Sequence, residues 1–278
     1  MQVDRQRATR DGRAAPRRDD HAYPRGVNLL LVDPAELSAD ATCTLGDRRA
    51  DHLRGVLGAT VGSRVRAGVV GGGTGSAELL ADDGAAITLR LDITGPASLA
   101  LPIELVLAIP RPKVLTRVIE AAAAFGVARI ELTNAWRVDK SYLRSPRLSP
   151  DALAHAARLG AEQGATTHLP AITVHPRLMA LLDARWPGPP ETKLVAHPGA
   201  PPLETALPGG AGRPASPRQI VLAIGPEGGW IEREVETFVA RGFHPVSLGA
   251  PILRVETAVA AALGQLLLLD RLAGVTAG

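Results

Sequence analysis

Two glycine-rich stretches in the second half of the chain deliver charged side chains to places built for close backbone approach. The first, Gly225-Pro226-Glu227-Gly228-Gly229, follows the apolar run 219–225 and precedes the helix-like stretch 230–242. Glycines there let backbone N–H groups come close to a ligand, and ligands of open α/β sheets bind beyond the carboxyl ends of strands. A dinucleotide loop would read Gly-x-Gly-x-x-Gly after an early strand, and this one does not. Glu232, Glu234 and Glu236 follow it, so a neutral or cationic ligand suits it better than a pyrophosphate. A tight turn with Glu227 capping the helix accounts for the same residues. The second stretch, LGAPILRVETAVAAALGQLL (248–267), sets Arg254 and Glu256 at the entry to an apolar helix. Such a pair also serves as a plain helix cap that complements the helix dipole. Two Gly/Pro loops after neighbouring strands, each bringing a carboxylate, point instead to one composite pocket.

The elements that would hold these loops read as two units. From 27–33 to 85–93, short apolar runs separated by turn signals predict a small β-barrel, interrupted by a short helix over 47–58. GGGTGS (71–76) is not followed by Gly-Lys-Ser/Thr and reads as a glycine hairpin turn rather than a phosphate loop. Residues 96–102 read as a linker. Beyond it strands and helices alternate, which predicts an α/β domain. The continuous apolar run 103–109 reads as a buried parallel strand. A helix over 113–126 puts Val114, Leu115, Val118, Ile119, Ala122 and Phe125 on one face and stops at Gly126. Ser149 and Pro150 start the next helix. Strands follow at 193–198, 219–225 and 244–249, with a Pro/Gly-rich loop at 199–218. The helix 230–242 aligns Ile231, Val235, Phe238 and Val239. The last helix, about 256–273, is apolar nearly all round from Val259 to Leu269, which predicts burial on more than one side, as at a subunit interface.

Composition narrows the class. Of 278 residues 46% are apolar and 21% charged, ample for one large or two ordinary domains. The single Cys43 excludes a disulfide framework and a multi-cysteine zinc site, and fits a reducing cytoplasm. His168, His175 and His197 lack the spacing of a metal triad, and His155 reads as a solvated or packed mid-helix residue, so no metal is expected. No apolar run approaches the roughly 18–20 residues that span a bilayer, so no membrane role is expected. Residues 1–24 are polar and Arg-rich, without the apolar core of a secretory signal, and read as a disordered extension. Net charge is +3, and all but three of the 31 basic residues are arginine, the exceptions being Lys113, Lys140 and Lys193. Arginine suits phosphates and base edges; codon bias produces the same composition.

The paired motifs IGPEGGWIEREVE (224–236) and LGAPILRVETAVAAALGQLL (248–267), with HLRGVLGATVGSRVR (52–66), resemble the RsmE family. These are bacterial methyltransferases that make N3-methyluridine in 16S ribosomal RNA and belong to the knotted SPOUT superfamily. The resemblance spans residue 25 to about 273. It implies an N-terminal PUA-like RNA-binding β-barrel (25–95) and a C-terminal SPOUT domain (103–278) with a deep trefoil knot. It also implies a homodimer through the C-terminal domain, 16S ribosomal RNA as partner and S-adenosyl-L-methionine as cofactor. Carried over by position, the cofactor loops are Ala196, His197 and Pro198; Gly225, Pro226, Glu227, Gly228 and Gly229 with Ile231; and Leu248, Gly249, Ile252 and Leu253, closed by Thr257 and Ala258. Arg254 would stabilise a uracil anion, and Glu256 would orient Arg254 or accept the proton. Arg25, Arg48, Arg49, His52, Arg54 and Arg137 are the expected RNA contacts; Asn134 and Trp136 follow a strand end on the same side. The family pattern has Arg at Pro251, Thr at Val255, Lys at Ala121, Glu at Ala124 and Arg at Thr166. These departures imply a different target nucleotide or a divergent paralogue. A non-catalytic RNA-binding or assembly protein would not need the glycine-rich loops, and a nucleotide-dependent oxidoreductase would need the missing early fingerprint.

Overall fold

Alternation with period two builds the first sheet. In β5 (Ile87–Ala97), Ile87, Leu89 and Leu91 are buried while Arg90 and Asp92 face solvent, as in a strand with one covered face. It shares one sheet with β1 (Leu30–Val32), β2 (Thr42–Leu45), β3 (Arg64–Val69) and β4 (Gly73–Asp82), in the order β1-β3-β4-β5-β2. All pairs are antiparallel except β1 beside β3. The helix α1 (Arg48–Gly55) forms because Asp47 accepts the Arg49 N–H at 2.9 Å and caps its first turn. Ala50 and Leu53 then join Val65, Leu79, Ile87 and Leu89 in one apolar cluster. Cys43 lies in that cluster, its thiol pushed up to about 11 by burial. The glycine run around 71–76 divides in two. Gly71 (φ 68°) makes the turn, whereas Gly73 and Gly75 lie inside β4. A Cβ at Gly75 would fall 1.9 Å from the Asp92 carbonyl oxygen, so glycine admits the neighbouring strand.

The computed structural model describes residues 28–186, 192–207 and 219–275. The expected extension 1–24, Arg25 and residues 208–218 of the Pro/Gly-rich loop lie outside the described residues. Only Ser98, Leu99 and Ala100 separate β5 from β6 (Leu101–Ala108). The remaining strands are β7 (Val127–Thr133), β8 (Ala171–His175), β9 (Thr192–Ala196), β10 (Ile220–Ile224) and β11 (His244–Val246). The second sheet runs β11-β9-β10-β6-β7-β8, every pair parallel. Helices α2 (Pro112–Phe125), α3 (Pro150–Gln163), α4 (Leu178–Ala184), α5 (Glu232–Ala240) and α6 (Val255–Val275) complete the chain.

Local signals explain most of these. Gly126 ends α2 at φ 78°, and the Ser149 hydroxyl accepts the Ala152 N–H to start α3. Helices α2 and α3 pack backbone to backbone: a Cβ at Gly160 would lie 2.1 Å from the Glu120 carbonyl oxygen, and one at Gly164 2.3 Å from that of Ala124. The small residues Ala121 and Ala124, where the RsmE pattern has Lys and Glu, thus lie on a helix pressed against its neighbour.

The sequence predicts no element at β8 or α4. β8 is an edge strand with Ala171, Thr173 and Val174 exposed, so it lacks an apolar run, and α4 has no capping side chain. α5 departs from its expected stripe. Phe238 is its buried residue, stacking edge-on with Trp230 and Phe243 at 4.9 Å each, while Val239 is 48% exposed. The buried Glu104 and Glu131, on the adjacent strands β6 and β7, are matched by Arg185, Trp186 Nε1, Gln219 and His175.

The two units meet through α3 and the loop after it. Leu29 N–H donates to the Glu162 carbonyl (2.9 Å), Arg48 bonds both Glu162 carboxylate oxygens (2.9 Å), and Arg158 pairs with Asp33. The buried Thr167 hydroxyl donates to the Gly72 carbonyl (2.7 Å) and accepts the Ser98 N–H (3.0 Å).

Candidate functional site

The neighbouring parallel strands β11, β9 and β10 end at one edge of the second sheet, so the loops that follow them lie side by side. Each loop turns on a left-handed glycine: Gly199 (φ 79°), Gly229 (φ 69°) and Gly249 (φ 132°). A Cβ there strains the backbone, which is why the residue type recurs in all three loops. His197 N–H donates to the Val246 carbonyl (2.9 Å), Ser247 N–H to that of Pro201 (2.7 Å), and Leu203 N–H to that of Ser247 (3.1 Å). Gly229 N–H closes the second loop onto the Pro226 carbonyl at 2.8 Å. A Cβ at Gly225 would lie 3.0 Å from the Trp230 nitrogen, so this glycine lets the turn fold back on itself.

The expected cofactor residues are distributed along that edge. Ala196, His197, Leu248, Leu253 and Ala258 are half-buried; Pro198, Glu227, Gly228, Gly249, Ile252 and Thr257 are exposed. Gln265 donates to the Leu248 carbonyl (2.9 Å), and Ala258 N–H to that of Arg254 (2.7 Å). The buried ring nitrogens His197 Nδ1 and Trp230 Nε1 have no hydrogen-bond partner among the described residues. An unmatched buried polar atom costs free energy unless a ligand supplies its partner. Ile252, 87% exposed, is an apolar side chain that no described residue covers.

Glu227 points toward α2. Its Oε1 accepts the Arg111 N–H at 2.9 Å, with the Arg111 guanidinium 4.0 Å away. The carboxylate therefore ties the loop after β10 to the start of α2, where the helix dipole favours negative charge. Glu234 performs a double task that the sequence reading missed: it accepts the Ile231 N–H (3.0 Å) and the Trp136 N–H (2.8 Å). Its position three residues after Ile231 is a helix-capping signal visible in WIERE. Arg137 donates to the Gly228 carbonyl, so the loop after β7 is pinned on the glycine turn. Trp136 beside it is 79% exposed. Asn134 continues the β7–β8 pairing through its N–H to the His175 carbonyl (3.4 Å).

Arg254 and Glu256 sit at the first turn of α6, the guanidinium exposed and the carboxylate half-buried. Among the described residues neither forms an ion pair, with each other or elsewhere, so both charges remain available at the loop edge. Among the same residues no group of three or more His, Cys, Asp and Glu is arranged to hold a metal ion.

The expected RNA contacts separate. Arg49 needs correcting: it is 7% exposed, bonded to Glu36, Asp47 and the Leu31 carbonyl. Hydrogen bonds from Arg49 hold the Glu36 and Asp47 carboxyls below their usual range. Burial opposes the charge on Arg49, but those two carboxylates outweigh it and raise its pKa. It is an internal clamp, because burying a guanidinium requires paired carboxylates. Arg48 is bonded to Glu162, and Arg54 to Asp82 at 2.8 Å. His52 lines, with Arg48, Leu159 and Glu162, a crevice of about 130 Å³ between the units, away from the glycine loops. Among the described residues of the expected set, Arg137 alone lies at those loops.

A family model described as an RNA methyltransferase domain matches residues 97–267. The chain is 28% identical over 247 residues to the ribosomal RNA small subunit methyltransferase E of Treponema pallidum, covering 85% of this chain and 89% of that one. It is 30% identical over 241 residues to the protein of the same name from Synechocystis, covering 85% and 76%. In fold it is similar to the ribosomal RNA small subunit methyltransferase E of Neisseria gonorrhoeae, solved bound to S-adenosyl methionine. The TM-score is 0.67 at 24% identity, covering 87% of this chain and 98% of that one. A Legionella pneumophila protein solved with the same cofactor gives a TM-score of 0.70 at 22% identity, covering 87% and 98%. With the family model matched over most of the chain and both relatives matched over 85% of it, this protein belongs to the ribosomal RNA small subunit methyltransferase E family.

Proposed function

We propose that the chain is an S-adenosylmethionine-dependent methyltransferase acting at N3 of a uridine in 16S ribosomal RNA. The observation that carries this reading is the sheet edge where three adjacent strands end in glycine-hinged loops beside Arg254 and Glu256, which form no ion pair among the described residues. The unmatched His197 Nδ1, the uncovered Ile252 and the acidic residues around Glu227 favour a ligand with an adenine ring and a cationic sulfonium. The names of the Treponema and Synechocystis relatives and the cofactor bound to the Neisseria protein support the same assignment.

Ala196 to Pro198, Gly225 to Gly229 with Ile231, and Leu248 to Leu253 would hold the cofactor, with Thr257 and Ala258 closing the pocket. Bound there, it supplies an electrophilic methyl group. Uracil N3–H is a weak acid, so its proton must leave before N3 attacks. Glu256 takes that proton and Arg254 stabilises the resulting anion. Glu227 holds the loop shape through Arg111 rather than moving protons.

The reading extends to architecture. The first unit would be a PUA-like barrel and the second a SPOUT domain with a trefoil knot, an exception to the near absence of knots. The working form would be a cytoplasmic homodimer joined through the second unit. The packing of α6 against both α2 and β10, and the exposure of Leu268 on α6, favour a threaded and partnered helix.

Calorimetry with S-adenosylmethionine and its demethylated product tests the cofactor; an absence of binding at millimolar ligand sinks the methyltransferase reading. Incubation with 16S ribosomal RNA followed by nucleoside mass spectrometry should find N3-methyluridine. A different methylated nucleoside would leave the enzyme class and remove the target. Glu256→Gln is expected to lower kcat by about 10²–10⁴ with cofactor binding retained.

A further inference from the structure

We propose that the face formed by the start of α2 and residues 136–147 holds an unpaired stretch of RNA, with Trp136 stacking on a base and the surrounding cations following the phosphates. The inference rests on the reading that the substrate is RNA and names the surface that grips it.

Residues 109–148 contain eight basic and three acidic residues. Of the acids, Glu131 is buried against His175, Glu120 is half-buried, and Asp139 accepts the Ser141 N–H. Half of the bases have no partner among the described residues. Lys113, Arg117, Lys140 and Arg144 are exposed, and no ion pair forms at any of them among the described residues. Lys113 and Arg117 are four apart on one helix face. Arg147 donates to the Thr116 hydroxyl at 2.8 Å, which fixes segment 139–148 beside the first turns of α2. Arg111, its side chain 68% exposed, opens the same helix. A cation-rich band, tied down by Arg111, Arg137 and Arg147, therefore lies next to the glycine loop after β10.

Trp136 stands in that band, 79% exposed on a backbone that does not need RNA to hold it. Glu234 bonds its N–H, and Arg137 bonds the Gly228 carbonyl one residue on. A rigid, solvent-facing indole among exposed cations matches how single strands are gripped, by base–aromatic stacking plus backbone charge. A duplex offers no free base face inside its stack, so the surface fits an unpaired strand. The same anchoring links the stacked base to the loop that would bind the cofactor.

Tryptophan emission gives a direct readout, because Trp186 and Trp230 are 9% and 3% exposed and Trp136 alone is open to iodide. A single-stranded oligouridylate of about 12 nucleotides, within the usual site size, should quench the full-length protein and shield it from iodide. An abasic strand of equal length should bind more weakly. Trp136→Ala is expected to lower oligouridylate affinity by roughly 5- to 100-fold, and Trp136→Phe to restore most of it. The double substitution of Lys113 and Arg117 to Ala should reduce the salt dependence of binding by about 1.4 in log–log slope. Unchanged affinity in both variants overturns the proposal. So does a Trp136→Ala variant that loses only its dimer, because a second copy of the chain then covers this face. Calorimetry with S-adenosylmethionine on the same preparations separates the two readings: lost cofactor binding in wild type sinks the methyltransferase assignment, whereas methyl transfer with unchanged RNA affinity in the variants sinks only this surface.

Discussion

The first sheet unit and the segment 109–148 both carry arginines, and they use them in opposite ways. Residues 28–97 contain six arginines and nine acidic residues. Arg48, Arg49, Arg54 and Arg64 are all bonded to carboxylates, at Glu162, Glu36 with Asp47, Asp82 and Glu78. In 109–148, among the described residues, only Arg111, at 4.0 Å from Glu227, and the partly covered Arg129, at 3.8 Å from Glu131, approach a carboxylate. An arginine that neutralises a neighbour contributes to the fold and adds little field outside it. An unpaired one on an exposed face adds to the potential that attracts phosphates. The position of the cations relative to carboxylates, more than their number, separates a structural unit from a nucleic-acid surface.

The largest expected effect tests the structural side. Arg49→Ala should destabilise the protein by about 2–3 kcal/mol in urea unfolding, below the usual 3–5 kcal/mol for breaking a buried pair. The reduction follows from the exposure of its partners, 31% for Glu36 and 51% for Asp47. RNA affinity of the folded variant should stay within about threefold of wild type; a loss beyond tenfold would return Arg49 to the RNA surface.

The same clamp has a pH signature. Arg49 depresses the Glu36 and Asp47 pKa values, so the stability they contribute is fully present above their ordinary values of 4.5 and 3.8. It is lost as the pH falls through the depressed values of the folded state. The stability gap between wild type and Arg49→Ala should therefore be widest near neutrality and close in acid. A gap that is constant down to strong acid would deny the clamp.

A smaller effect tests the other region. Replacing Lys140 and Arg144 by Ala should weaken RNA binding about tenfold at moderate salt while leaving stability within about 0.5 kcal/mol. The smallest effect sharpens the contrast. Arg66 and Arg90 of the first sheet, exposed and without an ion pair among the described residues, lie among acidic neighbours; replacing both by Ala should change RNA affinity less than about threefold. A larger loss would show that the first sheet shares the grip.

Much of this molecule was legible because its signals are local. Asp47 before α1, Ser149-Pro150 before α3 and Gly126 after α2 act through neighbouring backbone groups, so each could be read directly. The glycine loops were legible for a similar reason, since positive φ at Gly229 and Gly249 is a property of the residue itself. β8 and α4 escaped because an exposed edge strand and an uncapped helix depend on tertiary contacts. Glu227 and Glu234 were visible as carboxylates near a helix start, but their partners Arg111 and Trp136 lie 116 and 98 residues away in the chain.

The amino-acid order by itself determined a mixed α/β fold, a parallel sheet, and loops whose glycines and nearby charges suit a cationic cofactor. It did so because periodicity, capping and backbone freedom act over a few residues. The tertiary structure decided which charges remain free. Pairing links residues as distant as Arg48 and Glu162, and it turned Arg49 into a clamp while leaving Lys113, Arg117 and Trp136 facing solvent beside the glycine loop.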